Sequence, residues 1–167
     1  MREVVVPTAA LAAMRESARV AYPEECCGFL LSAATDASDP DSRSIRGVLP
    51  ATNRSDGERR RRFVILPAEL RAAEDEAAGR GSVVTGFYHS HPDHPARPSV
   101  FDQEHAWPWY AYLILSSGRT AGENSVGAFE LDPERREFRE VTLRIGAGLP
   151  RGVADAGARR GETEGVT

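Results

Sequence analysis

His89-Ser90-His91-Pro92, followed after six residues by Ser99-Val100-Phe101-Asp102, constrains this chain more than any other stretch. It directly follows an apolar, strand-like run, Val83 to Tyr88. Side chains alternate faces along a strand, and residues two apart have Cα atoms roughly 6.6 Å apart. His89 and His91 are therefore predicted to point to one side while Ser90 points away. Pro92, Pro95 and Pro98 stiffen the link to Ser99. If Ser99 caps a short helix to about Ala106, Asp102 falls in its first turn, where the helix dipole favours a carboxylate.

Two imidazoles and a carboxylate are a ligand set for catalytic zinc, with a fourth position open to water. The parts are weaker apart: one His-x-His is slight evidence for metal, and Ser-x-x-Asp is equally a plain capping box. His94 and His105, the other histidines, read as surface or packing residues. His105, one turn beyond Asp102, could also support the site.

The 167 residues suit one domain with a real core. The net charge of −4 argues against a nucleic-acid binder. No apolar run has membrane-spanning length, and the polar start lacks a signal-peptide core. Cys26 and Cys27 are adjacent, so a bridge between them would close almost no loop. They read as reduced, buried thiols of a cytoplasmic protein.

Val4–Val6 reads as a strand ending at Pro7. Thr8 can cap a helix to about Val20, with Leu11, Met14 and Ala18 on one face, and Pro23 stops it. Cys26–Leu31 reads as a buried strand, 35–44 as a loop, and Ile45–Leu49 as a short strand. A polar loop, 52–62, ends in four arginines, Arg59 to Arg62. That run is a solvated segment or a contact for an acidic partner. Phe63–Leu66 looks strand-like, and Pro67 suits the first position of a helix carrying Leu70, Ala73 and Ala77, ended by Gly79 or Gly81. Strands are expected at Tyr110–Leu115, Val126–Leu131 and Phe138–Ile145. From Gly146 the composition predicts a disordered tail, 146–167. The whole reads as a single α/β (α+β) domain over 1–145, with a central sheet carrying helices on its faces.

His89-Ser90-His91-Pro92-Asp93-His94 also resembles the His-x-His-x-Asp-His pattern of the metallo-β-lactamase superfamily. That larger sandwich needs ligating histidines far downstream, and only His105 follows His94. The fuller pattern resembles the JAMM (MPN-plus) zinc metallopeptidases: an upstream glutamate, His-x-His-Pro, about six residues, then Ser-x-x-Asp. In that family the glutamate stands three residues before a glycine; Glu25-Cys26-Cys27-Gly28 gives that register, with Glu24 the neighbour it could be confused with. The resemblance runs from about Val4 to Leu115, more loosely to Ile145. Trp107-Pro108-Trp109-Tyr110 looks like the compact prokaryotic branch.

The resemblance implies a curved mixed sheet flanked by helices, similar to cytidine deaminases. It implies one Zn2+ per chain on His89, His91 and Asp102, with Glu25 as general base and Ser99 as oxyanion donor or helix cap. It further implies hydrolysis after the C-terminal Gly-Gly of a ubiquitin-like sulfur-carrier protein, trimming an extension or freeing an amino acid. Two other outcomes are a zinc-free scaffold of the same fold and a zinc hydrolase of small peptides or amides. The complete ligand set speaks against the scaffold. Nothing in the sequence fixes the oligomeric state.

Overall fold

The structure, a computed structural model, describes residues 1–36, 39, 41–118, 125–134 and 137–146. The chain runs β1 (Glu3–Val6), α1 (Thr8–Ala21), β2 (Cys27–Ala33), β3 (Ser42–Ser44), β4 (Gly47–Ala51) and α2 (Pro67–Gly79). There follow β5 (Ser82–Pro92), α3 (Val100–His105), β6 (Ala111–Ser117), β7 (Val126–Leu131), β8 (Phe138–Glu140) and β9 (Thr142–Ile145).

Six strands form a mixed sheet in the order β4-β2-β5-β6-β7-β8. Only the β5–β6 pair is parallel, and α3 lies in the crossover between them. Helices cover both faces, because the central strands alternate between two apolar layers. On one side, Leu30, Tyr88, Leu113 and Leu115 pack with Leu11, Met14 and Ala18 of α1. On the other, Phe29 and Leu31 pack with Ala73 and Ala77 of α2. All seven residues of β2 are buried, as expected of a strand covered on both sides. Gly28 is required for this: a Cβ there would collide with the Leu49 carbonyl and the Tyr88 ring.

A single domain with a mixed sheet flanked by helices agrees with the sequence reading, with four differences of detail. Thr8 does not cap α1; Pro7 holds the N-cap position, no side chain caps the helix, and Thr8 is its first residue. Phe63–Leu66 is not a strand. It is extended backbone pinned by loop contacts, with Arg54 N–H donating to Val64 O at 2.9 Å.

A second sheet, β3-β1-β9, is parallel throughout. It takes Ser42–Ser44 out of the expected loop, and Ile45 donates to Val5 O at 2.9 Å, so β4 starts only at Gly47. The expected Phe138–Ile145 strand breaks at Val141. That N–H bonds Ala128 O at 2.9 Å, after which the chain leaves the large sheet and pairs with β1. Alternation cannot reveal a change of partner, because both halves keep period two. The expected tail, beyond Gly146, lies outside the described residues.

Candidate metal centre

β5 runs through the histidines rather than ending before them. His89 pairs with Ile114 and His91 with Ser116 of β6, while Cys27 of β2 lies opposite His89. Both rings therefore project from the same sheet face. α3 brings the third group: Ser99 N–H and Oγ–H both donate to Asp102 Oδ2 at 2.7 Å, and Asp102 N–H donates back to Ser99 Oγ at 3.1 Å. This reciprocal capping box holds the Asp102 carboxylate in the first turn of α3.

His89, His91 and Asp102 are all buried, and one ligand atom from each lies within 4.8 Å of the others. His89 Nε2 is 3.0 Å from His91 Nε2. Each also lies 3.4 Å from an Asp102 carboxylate oxygen.

The donor set fits a soft-to-borderline dication. His91 Nδ1 sits 3.1 Å from Pro95 O, so that nitrogen carries a proton, and in the neutral ring Nε2 presents a bare lone pair. His89 Nδ1 is buried without a partner. Two imidazole Nε2 atoms and a carboxylate converging in a closed space are the donor types that bind zinc. Phe63 stacks on His89 with ring centroids 4.6 Å apart and fixes its plane.

Burial pushes the His89 imidazolium below its ordinary range. Burial acts on His91 in the same direction, but its hydrogen bond to Asp102 and that charge outweigh it and raise the value. Burial also disfavours the Asp102 anion, yet both histidines and the Ser99 N–H hold it well below the usual carboxylate range.

Glu25, not Glu24, is drawn inside. Glu25 is 4% exposed, whereas Glu24 is exposed and pairs loosely with Arg59 at 4.0 Å. The Glu25 backbone is clamped: its N–H donates to Arg59 O at 2.8 Å, and its carbonyl accepts from Asn53 Nδ2 at 3.1 Å. Its Oε2 has no hydrogen-bond partner among the described residues. Burial pushes the carboxyl up to about 8, the charge of His91 opposes this, and that of Asp102 adds to it. A buried carboxyl titrating near neutrality beside a metal-type cluster is a general acid–base candidate.

Sequence reasoning missed two supports. Ser90, fully buried, accepts the Cys26 N–H at 2.9 Å. Asn53 also donates to Arg62 O at 2.9 Å, and its Oδ1 accepts from Ser55 N at 2.9 Å and Val64 N at 3.3 Å. A serine facing a buried layer signals a required partner; Asn53, in a polar loop, gave no such signal. His94 and His105 are exposed and outside the cluster; His105 Nδ1 lies 2.8 Å from Phe101 O.

Two depressions border the cluster. An apolar one of about 240 Å³ includes Phe63, Ile65, Leu70, Ala106 and Trp107 beside His89 and Asp102. A polar groove of about 570 Å³ contains Glu25, His91 and Ser99.

A mixed sheet with this His-x-His strand, capped aspartate and buried glutamate defines the class. Residues 7–131 match the family described as prokaryotic homologues of the JAB domain, and the chain belongs to this family, as a compact prokaryotic JAMM/MPN member. The Haloferax volcanii protein named desampylase is 34% identical over 133 residues, covering 78% of this chain and 85% of that protein. The solution structure of a protein from Desulfitobacterium hafniense superposes with a TM-score of 0.74 at 28% identity, covering 87% of this chain and 94% of the other. One from Salinibacter ruber gives 0.65 at 35% identity, covering 93% and 96%.

Proposed function

We propose that this protein is a JAMM-type zinc metallopeptidase/isopeptidase. It hydrolyses the amide bond after the C-terminal Gly-Gly of a ubiquitin-like protein of the sulfur-carrier kind. The observation that carries this reading is the buried Glu25 carboxyl, its Oε2 without a hydrogen-bond partner among the described residues, in the same groove as His91 and Ser99, next to the three-donor cluster. A desampylase among the relatives supports a hydrolase acting on a ubiquitin-like protein.

His89, His91 and Asp102 would hold one zinc ion, which supplies Lewis acidity and lowers the pKa of a coordinated water towards 7. Glu25 takes the proton of the attacking water and hands it to the departing amine. Ser99 caps α3 with a lone pair, so its O–H, now on Asp102, is free to turn towards a developing oxyanion. We assign the catalytic domain to 1–145. No helix among the described residues is long and apolar enough to cross a membrane. We place the protein in a reducing, cytoplasmic setting, with which its two free, buried cysteines are compatible.

The test is mass spectrometry of a Gly-Gly-ended sulfur carrier extended by a few residues, incubated with zinc-loaded protein. Cleavage after Gly-Gly is expected, and is expected to vanish in Glu25→Gln. A zinc-loaded wild type that leaves every such extension intact overturns the reading.

A further inference from the structure

The depressions on either side of the cluster differ in charge. The apolar one has no lysine or arginine among its lining residues. The groove shared by Glu25 and Ser99 is lined by Arg61, Arg62 and Arg97. Arg61 and Arg97 are exposed and form no ion pair among the described residues. The Arg62 guanidinium lies 5.0 Å from the centroid of the Phe101 ring, which orients it. Two carboxylates, Glu25 and Glu58, share this groove, so three guanidiniums leave a positive excess.

The position of this charge has a chemical meaning that rests on the reading above. Glu25 delivers a proton to the departing nitrogen, so the leaving group lies on Glu25's side, in the basic groove. A leaving amino acid carries its α-carboxylate one carbon from that nitrogen. A leaving lysine side chain on a protein carries no anion there. We propose that Arg61, Arg62 and Arg97 form a carboxylate-binding subsite. It selects leaving groups with a free α-carboxylate, meaning a single amino acid or a very short C-terminal extension, over lysine-linked proteins. Guanidinium forks bind carboxylates in paired, charge-assisted hydrogen bonds, which suits this task. The reaction needs no further reactant: water supplies the new C–O bond and the proton on nitrogen as the C–N bond breaks.

The experiment uses three substrates built on one Gly-Gly-ended sulfur carrier. The first carries one added alanine with a free carboxylate, the second the same alanine as its carboxamide. The third is joined to the side-chain amine of Nα-acetyl-lysine amide. The zinc-loaded full chain should cleave the free acid with a kcat/KM at least about tenfold above the other two, the gain expected of a charged pair over a neutral contact. Arg97→Ala and the double variant Arg61→Ala, Arg62→Ala should shrink that ratio towards one; these side chains are exposed, so the fold should tolerate their loss. Titration of catalytically silenced Glu25→Gln with the acid and the carboxamide should show the same preference in Kd. Equal cleavage of acid and carboxamide, preference for the lysine conjugate, or a ratio unmoved by the arginine variants overturns the subsite while leaving the isopeptidase reading intact. If none of the three is cleaved, the isopeptidase reading fails, and the subsite with it.

Discussion

Ser90 Oγ accepts the backbone N–H of Cys26 at 2.9 Å, while Ser90 N–H donates to Cys26 O at 3.1 Å. The residue between the two histidines thereby grips the residue after Glu25. One short bridge sets the distance between the histidines of β5 and the buried carboxyl, which stands two residues before β2.

Ser90→Ala should therefore separate metal binding from catalysis. It leaves a buried N–H unpaired, at a cost of about 1–3 kcal/mol in stability. Zinc content should stay at one per chain, while kcat falls by about tenfold or more as Glu25 drifts. Metal analysis and steady-state kinetics on one preparation check both; unchanged kcat would show that the bridge does not position Glu25.

Glu25 should weaken the metal-free fold at neutral pH. In the unfolded chain its carboxyl titrates at about 4.3, whereas in the fold burial pushes it up to about 8. Both forms are protonated below the lower value, so the group costs nothing there. As pH rises through the window between the two, the unfolded chain sheds its proton first and stability declines. Metal-stripped Glu25→Gln should thus melt above wild type at pH 8, by up to a few kcal/mol in stability, with the gap closing towards pH 4. Parallel melting curves at every pH would show that the carboxyl is not strained.

Asp102→Ala should lose zinc outright, because it removes the anionic donor and leaves two neutral imidazoles. Ser99→Ala should keep the zinc but lose the α3 cap, at about 1 kcal/mol, and lose turnover as well. Plasma mass spectrometry of the two variants separates the roles; a full zinc complement in Asp102→Ala would remove that residue from the ligand set.

The cysteines should be inert. Burial pushes the thiol of Cys26 up to about 11 and that of Cys27 to about 12. Iodoacetamide should leave both unmodified in the native protein at pH 8 and label both after denaturation. Rapid native labelling would show that β2 opens readily.

The site was legible because its chemistry is compressed into local spacings. His89 and His91 share a face by strand alternation, and Ser99 and Asp102 meet across one helical turn. Glu25 was singled out only through its register with Gly28, and that glycine is required by strand packing. What stayed hidden depends on partners remote in sequence. The hydrogen bonds of Asn53 join residues on both sides of the arginine run, and no local pattern announces them. Phe63–Leu66 has the composition of a strand, but no strand among the described residues pairs with it. The switch at Val141 is invisible for a related reason: a strand's residues record which face is buried, not which neighbour accepts its hydrogen bonds.

That switch has a consequence for how the molecule comes to exist. β9 lies directly against β1, in register from Glu3↔Thr142 to Val6↔Ile145. During synthesis β1 emerges long before β9 and waits for it before this edge is closed. Until then β1 has only the three residues of β3 beside it. Contacts of such long sequence separation slow folding. A chain cut after Leu131 would keep every residue of the three-donor cluster and still leave β1 open along one side, exposed to pairing with another chain. The three-donor cluster and the closure of the fold are therefore completed at different places along the sequence.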